Sequence, residues 1–270
     1  MKSKWIWFIA KRYIFRKQKK SPSSALSITG IATGVFALIV IIAVMNGFQL
    51  SFIESILEIS SYHIRIKSIP VESIEEARGI LLSLPGIQAA VPFNEFQGLI
   101  RGRQGGQRPA LIRGIPANIS DIDSSFMQRF DFVDGYFNLN EENSVILGTE
   151  MARRLGGLWV GDSISIFSIP ALFMDTETHS DADSQTFIIS GIFRTGFYEY
   201  DDSLAFINIE HAAYFSQDDP SIGIKLRNRF NDRNSLYASI DALSVSNQFD
   251  EAIFSSWRDY NKSFFGALRT

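Results

Sequence analysis

The chain has 270 residues, 46% of them hydrophobic and 20% charged, with a formal net charge of −3. That length buries a sizeable core in one domain or two small ones. There is no cysteine, which excludes disulfides, thiol nucleophiles and cysteine-ligated metals and suits an oxidising compartment. The charge is unevenly spread. Residues 1–20 carry Lys2, Lys4, Lys11, Arg12, Arg16, Lys17, Lys19 and Lys20 and no acid. The other 18 of the 26 basic residues face all 29 acids, a net −11 over the rest of the chain.

Within residues 4–16, Trp5, Phe8, Ile9 and Tyr13 recur at helical spacing, with Lys4, Lys11 and Arg12 off that stripe. The pattern predicts an amphipathic helix lying in a membrane interface, where Trp and Tyr suit the headgroup layer. A basic, proline-containing elbow follows over 17–24. Residues 21–53 then hold no Asp, Glu, Lys or Arg, and 35–45 are wholly apolar. About 20 such residues cross a hydrocarbon core of about 30 Å, and a lone segment in lipid must be helical. The span is placed at about 25–48. Basic flanks stay cytoplasmic, so the N-terminus is inside and the acidic bulk outside. The apolar run exceeds a cleavable signal's core of about 7–15 residues, which favours an uncleaved anchor.

Inside the span Gly30 and Gly34 share a face with Ser27 and Ala37, and Gly-x-x-x-Gly lets a second helix backbone approach closely. Past it, Phe48, Phe52, Ile56 and Ile59 continue the helical spacing as a stalk. Residues 62–67 alternate as a strand, 72–84 read as a helix stopped by Pro85-Gly86, and 87–93 as a strand. A second strand–helix–strand set falls at 222–227, 232–243 and near Val245. Between the two sets lies β-rich sequence: 98–103 and 109–114 around the hairpin signal Gln104-Gly105-Gly106-Gln107, then strands at 144–147, 162–168, 186–193 and 204–208. A helix at 149–155 is expected, with Thr149 as N-cap and Gly156-Gly157 as its stop.

No phosphate loop, His-Glu-x-x-His helix or Gly-x-Ser-x-Gly elbow occurs. His63, His179 and His211 are scattered. The acidic stretch 175–183 lacks the glycine and terminal glutamate of a calcium loop. No catalytic set, metal site or cofactor is therefore expected in this chain. Pro170, Ala171, Leu172, Phe173 and Met174 form an apolar run in a connection between two strands, and exposed apolar patches of this kind mark interfaces.

Phe8-Ile9-Ala10-Lys11-Arg12-Tyr13, Met45-Asn46-Gly47-Phe48, Ile146-Leu147-Gly148-Thr149-Glu150, Gly191-Ile192-Phe193-Arg194-Thr195-Gly196 and Tyr198-Glu199-Tyr200-Asp201 occur in the order and spacing of a known group. The chain resembles the lipoprotein-releasing ABC permeases (LolC/LolE type) of the wider MacB-like superfamily. The resemblance implies an α+β fold: an amphipathic helix, one transmembrane helix, then a periplasmic domain with a porter-like α+β part (two βαβ units) and an inserted β-rich part. The corresponding boundaries are 1–20, 21–60, 61–95 with 220–257, 96–219, and a final 258–270 leading toward a second span. Three further spans of the family are absent from this sequence.

The implied activity is transport rather than enzymatic chemistry. Such permeases pair with a second permease subunit and a cytoplasmic ABC ATPase, extract a lipoprotein substrate from the inner membrane, and pass it to a periplasmic lipoprotein chaperone. Nucleic acid plays no part. The 170–174 run falls where one permease type carries a chaperone-gripping hook; the acidic continuation to Asp183 departs from a short hook, and the Tyr-Glu-Tyr-Asp motif resembles the partner subtype, so the resemblance leaves the subtype open. Met45, Phe48 and Phe52, at the outer end of the span, are expected to meet acyl chains. Alternative readings are a MacB-like export or cell-division-type regulatory permease, or a membrane-anchored sensor or scaffold.

Overall fold

A computed structural model describes residues 5–9, 12, 22–55, 59, 62–84, 86–168, 184–216, 219–227 and 253–260. Residues 5–9 are helical, as the amphipathic pattern requires. Two compact units follow one another in sequence, Met1–Ile53 and Glu54–Thr270.

The first unit is dominated by helix α1 (Pro22–Ser55). At 1.5 Å per residue its 34 residues extend roughly 51 Å. Leu26–Phe48 is long and apolar enough to cross a membrane. The helix therefore runs on well beyond the apolar segment, through most of the predicted stalk. Ile56 lies outside the described residues.

The second unit is built on a ten-stranded sheet: β1 (Ile64–Lys67), β2 (Ile87–Arg101), β3 (Gln107–Ile115), β4 (Asp131–Gly135), β5 (Ser144–Gly148), β6 (Ser163–Ser168), β7 (Ser184–Arg194), β8 (Leu204–Asn208), β9 (Ser221–Leu226) and β10 (Ile253–Ser256). The order is β10-β1-β9-β2-β3-β8-β5-β7-β4, with β6 pairing both β2 and β7. Strand β1 is antiparallel to β9 and β10, and β9 is antiparallel to β2. So β1 and β2 run parallel with β9 between them, and β9 and β10 run parallel with β1 between them. The pairs β1/β2 and β9/β10 thus interleave. Helix α2 (Ile74–Ser83) links β1 to β2 and buries Ile74, Ala77 and Leu81. The helix predicted at 232–243 and the strand near Val245 lie outside the described residues. Strand β10 stands at Ile253–Ser256, a segment too short to show an alternation.

Strand β2 is one continuous element of 15 residues, although the alternation in the sequence stops at Phe93 and resumes at Gly98. Its first half pairs with β9 and its second with β3. The Gly-Gly hairpin forms between β2 and β3, closing at Arg101↔Gln107, with Gly102 N–H donating to the Gly106 carbonyl at 2.8 Å. Gly105 takes φ +82°, a left-handed conformation that glycine adopts without a Cβ penalty.

Period-two alternation builds two cores, one on each face of the β-rich part of the sheet. Val145, Leu147, Ala205 and Ile207 enter one cluster with Phe96, Ile112 and Phe187. Ile146, Leu204 and Phe206 enter the other with Phe93, Phe126, Phe130 and Phe193. This is why β5 and β8 read as unbroken apolar runs: both of their faces are covered. Helices α3 (Thr149–Arg154) and α5 (Ile209–Phe215) supply Met151, Ala152, Ala212 and Phe215 to the first cluster. Turns at Ile119–Ile122 and Phe126–Arg129 cover the second. Gly148, not Thr149, occupies the N-cap of α3. The second cluster also contains Ile59, Tyr62, Ala89 and Val91, so one core runs from the start of the unit into its β-rich part.

Candidate functional site

Helix α1 carries two sets of predicted residues. Gly30 and Gly34 are exposed, and a Cβ added to either would meet nothing within 4 Å. Met45 and Phe48 are exposed, at 54% and 67%. Phe52 lies on the same helix, three and four residues along the one face, and its side chain is outside the described residues.

The segment that begins the α/β unit is held by charge. Arg113 on β3 is 1% exposed and donates from Nη1 to the Ile59 carbonyl at 2.7 Å. Its Nε donates to Glu95 Oε2 at 2.9 Å, and its Nη2 pairs with the same oxygen. Arg65, also buried, donates to Glu95 Oε1 at 3.2 Å. Two guanidinium groups therefore share one carboxylate. Aromatic faces also receive these cations: the Arg65 and Arg113 guanidinium carbons lie 5.1 and 5.5 Å from the Phe93 ring centre, and Arg113 lies 6.0 Å from that of Tyr62. On β1 the neighbours Ile64 and Ile66 point to the opposite face and are fully buried.

Tyr62 sits at the centre of this arrangement. Its ring packs on Phe93 at 5.3 Å. It also lies flat over Gly223, where a Cβ would come within 2.2 Å of it. Its hydroxyl is buried with no hydrogen-bond partner among the described residues. Burial pushes the phenol up to about 12, opposed by the nearby Arg113 charge. Beside it a second buried pair joins Lys225 Nζ to Asp123 Oδ2 at 2.5 Å, with Ser125 donating from its N–H and Oγ to Asp123 Oδ1. Stripping two charges of water costs several kcal/mol per ion unless the remaining donors and acceptors are satisfied. The multiple partners of Arg113 and Glu95 meet that condition, and Ser125 satisfies Asp123 Oδ1 while Oδ2 keeps its charge contact with Lys225. The arrangement can hold the incoming chain rigidly against β3 and β9; it contains no group placed for nucleophilic or acid–base chemistry.

The sequence gives little notice of Arg65, Glu95 and Arg113. The one available signal is a charged residue within an apolar alternation, as in Leu111-Ile112-Arg113-Gly114-Ile115. The apolar run Pro170, Ala171, Leu172, Phe173 and Met174 connects β6 to β7, which pair antiparallel up to Phe167↔Ser184. The run itself, and the acidic stretch after it, lie outside the described residues.

The Tyr-Glu-Tyr-Asp motif forms helix α4 (Tyr198–Ser203). Asp201 Oδ1 accepts from Thr195 N–H at 2.7 Å and Thr195 Oγ1 at 2.8 Å. Gly148 lies against the Asp201 backbone, where a Cβ would stand 2.3 Å from its carbonyl oxygen. Two separated sequence motifs thus meet at one close backbone approach. Of the histidines, His211 Nε2 accepts from Asn143 N–H and His63 Nδ1 from Leu226 N–H; His179 lies outside the described residues. No group of three metal-ligating side chains occurs among the described residues.

An apolar helix long enough to cross a membrane, followed by a mixed α/β unit, sets the class of the chain. Within it, the chain belongs to the MacB-like periplasmic core domain family, whose model matches residues 24–243. It is 28% identical over 266 residues to the lipoprotein-releasing system transmembrane protein LolC of Xylella fastidiosa (strain Temecula1), covering 97% of this chain and 62% of that protein. It is 29% identical over 273 residues to LolC of Neisseria meningitidis serogroup B, covering 97% and 63%. A shorter match joins it to LolE of Haemophilus influenzae, 30% identical over 170 residues, covering 59% and 40%. The chain therefore spans about three-fifths of the length of its LolC relatives. Among solved structures, the periplasmic region of MacB from Actinobacillus actinomycetemcomitans superposes with a TM-score of 0.46 at 10% identity, covering 77% of this chain and 95% of that one.

Proposed function

We propose that this chain is part of a permease subunit of an ABC system that releases lipoproteins from the inner membrane and passes them to a periplasmic chaperone. The observation that carries the reading is the colinear likeness to LolC, which covers 97% of the chain, apolar helix and α/β unit together. The basic residues 1–20 place the N-terminus in the cytoplasm and the α/β unit in the periplasm. A second permease subunit packs on the Gly30/Gly34 face, and a separate ATPase supplies the energy. In this reading 61–95 with 220–257 form the porter-like part, as two split βαβ units, and 96–219 the insert.

The coupling is mechanical. Displacement of the stalk reaches the sheet through the Arg113 bond to the Ile59 carbonyl, because a buried charge-assisted bond is stiff and costly to break. Met45, Phe48 and Phe52 line the path of the acyl chains, and Pro170 to Met174 contact the chaperone.

Photo-crosslinking tests this in cells that also make the cognate ATPase. A photoreactive residue at Phe48 is expected to capture acylated lipoprotein, and one at Phe173 a soluble periplasmic chaperone. Capture of phospholipid alone at Phe48, while release proceeds normally, overturns the cargo contact. Capture of a non-acylated exported peptide in its place turns the reading into that of an export permease.

A further inference from the structure

Strand β4 and the loop leading into β6 meet end to end along one edge of β7. Strand β4 pairs with β7 as far as Gly135↔Gly191, and Tyr136 N–H carries the pairing on to the Ser190 carbonyl at 3.4 Å. Strand β6 pairs with β7 from Ser163↔Ile188. Gly161 N–H extends that pairing toward β4 by donating to the Ile189 carbonyl at 2.8 Å. At the junction Val160 packs over Gly135, where a Cβ would stand 2.7 Å from its Cγ2.

Five apolar side chains are exposed at this junction: Val133, Tyr136, Trp159, Val160 and Ile188. Trp159 and Tyr136 are 67% and 65% exposed. Single exposed apolar residues need no explanation, whereas a group of them marks an interaction surface. The exposure of Trp159 is built into a fixed backbone. Every main-chain N–H from Gly157 to Asp162 is bonded within the unit. Those of Gly157 and Leu158 donate to the Ala152 carbonyl, and that of Asp162 to the Trp159 carbonyl. Trp159 N–H donates to Asp162 Oδ2 at 2.9 Å, and Val160 N–H to Asp134 Oδ2 at 3.0 Å. A preorganised aromatic anchor loses little freedom on binding. The described chain is continuous over 86–168, and its interruption between Ser168 and Ser184 lies at the opposite end of the β6–β7 pair.

Charge selects the occupant. Segments 130–152 and 155–193, which form the junction, contain no Lys or Arg. Asp134 and Asp162 hold the loop itself, and the turn carrying Glu141 and Glu142 is tied to Ile188, whose N–H donates to the Asn143 carbonyl at 2.8 Å. None of these four acids enters an ion pair among the described residues. An anionic lipid surface is repelled by such a face, and a second copy would set like charges against like. A cationic group gains from the acids and from the exposed ring faces together.

We infer that the junction of β4 and β6 is a docking surface for a cationic, apolar polypeptide segment of a partner protein, anchored on Trp159 and Tyr136. The inference rests neither on the permease reading nor on the 170–174 run.

The test uses the full chain in detergent and two rhodamine-labelled, end-capped octapeptides, one alternating lysine with valine and the other glutamate with valine. Empty micelles give the background. Saturable binding of the lysine peptide is expected, with weaker binding of the glutamate peptide. Trp159→Ser, at an exposed side chain, is expected to weaken binding about tenfold. Glu141→Gln/Glu142→Gln is expected to weaken it about threefold at low salt and to have no effect at high salt, where exposed charges are screened. Trp257 emission during thermal melting checks that the variants fold. Absence of saturable binding, equal binding of the two peptides, or unchanged binding by folded Trp159→Ser overturns the proposal. So does a dimer of the unaltered chain that Trp159→Ser abolishes, which would make the junction an interface between copies.

Discussion

Replacing Arg113 by Met tests whether buried charge holds the start of the α/β unit. The side chain keeps its length and apolar stem but loses all its donors. Among the described residues, its bonds to Glu95 and to the Ile59 carbonyl go. Removing one partner of a buried ion pair costs about 3–5 kcal/mol, because the remaining charge is left uncompensated. Here Glu95 keeps Arg65 at 3.2 Å and its side chain is 11% exposed, which pulls the cost toward the lower end. The Ile59 carbonyl, in contrast, loses a charge-assisted bond worth about 1.5–3 kcal/mol. These terms share atoms and do not add, so about 3–4 kcal/mol is expected. Urea unfolding of the chain in detergent, followed through the buried Trp257, measures it. Glu95→Gln alone is expected to cost a similar amount, by removing the carboxylate that two buried guanidinium groups share. The double variant is expected to cost at least about 1.5 kcal/mol less than the sum of the two. A loss below about 1 kcal/mol for Arg113→Met, or strict additivity of the pair, would refute the view that this cluster anchors the incoming chain.

Three further outcomes follow from the same region and from the glycine contacts. The Tyr62 phenol stands at about 12 in the folded protein against 10.0 when free. The unfolded chain therefore loses its proton first, and stability falls as pH rises from about 10 to 12, by up to about 2.7 kcal/mol. Tyr62→Phe removes that alkaline loss and, by deleting an unsatisfied hydroxyl, leaves neutral-pH stability unchanged or raised; pH-dependent thermal melts read both effects. Gly148→Ala forces a Cβ against the Asp201 backbone, which cannot swing aside as a side chain can, so a loss of at least about 1–3 kcal/mol is expected by the same urea assay. Lys225→Met strands Asp123, whose side chain is wholly buried, at about 3–5 kcal/mol; a smaller loss in Lys225→Met/Asp123→Asn would identify the stranded charge as the cause.

Much of this protein can be read directly from its sequence, because the relevant forces act locally. A charge-free stretch of 33 residues must be helical in lipid whatever surrounds it. The runs at 145–147 and 204–207 announce strands covered on both faces, and Gln104-Gly105-Gly106-Gln107 announces its own turn. Other features depend on partners far along the chain. Asn94 and Glu95 break the apolar pattern of β2, and Arg65 and Arg113, 30 and 18 residues away, pair with Glu95 and let one strand run unbroken through that break. The short strands β4 and β10 carry no alternation strong enough to announce them; the sheet edges they join make them strands. Local periodicity thus determined the membrane helix, the strand-rich class and most of the core. Tertiary structure alone decided the interleaved strand order and the charge cluster around Tyr62, because each depends on which distant strand lies alongside β2.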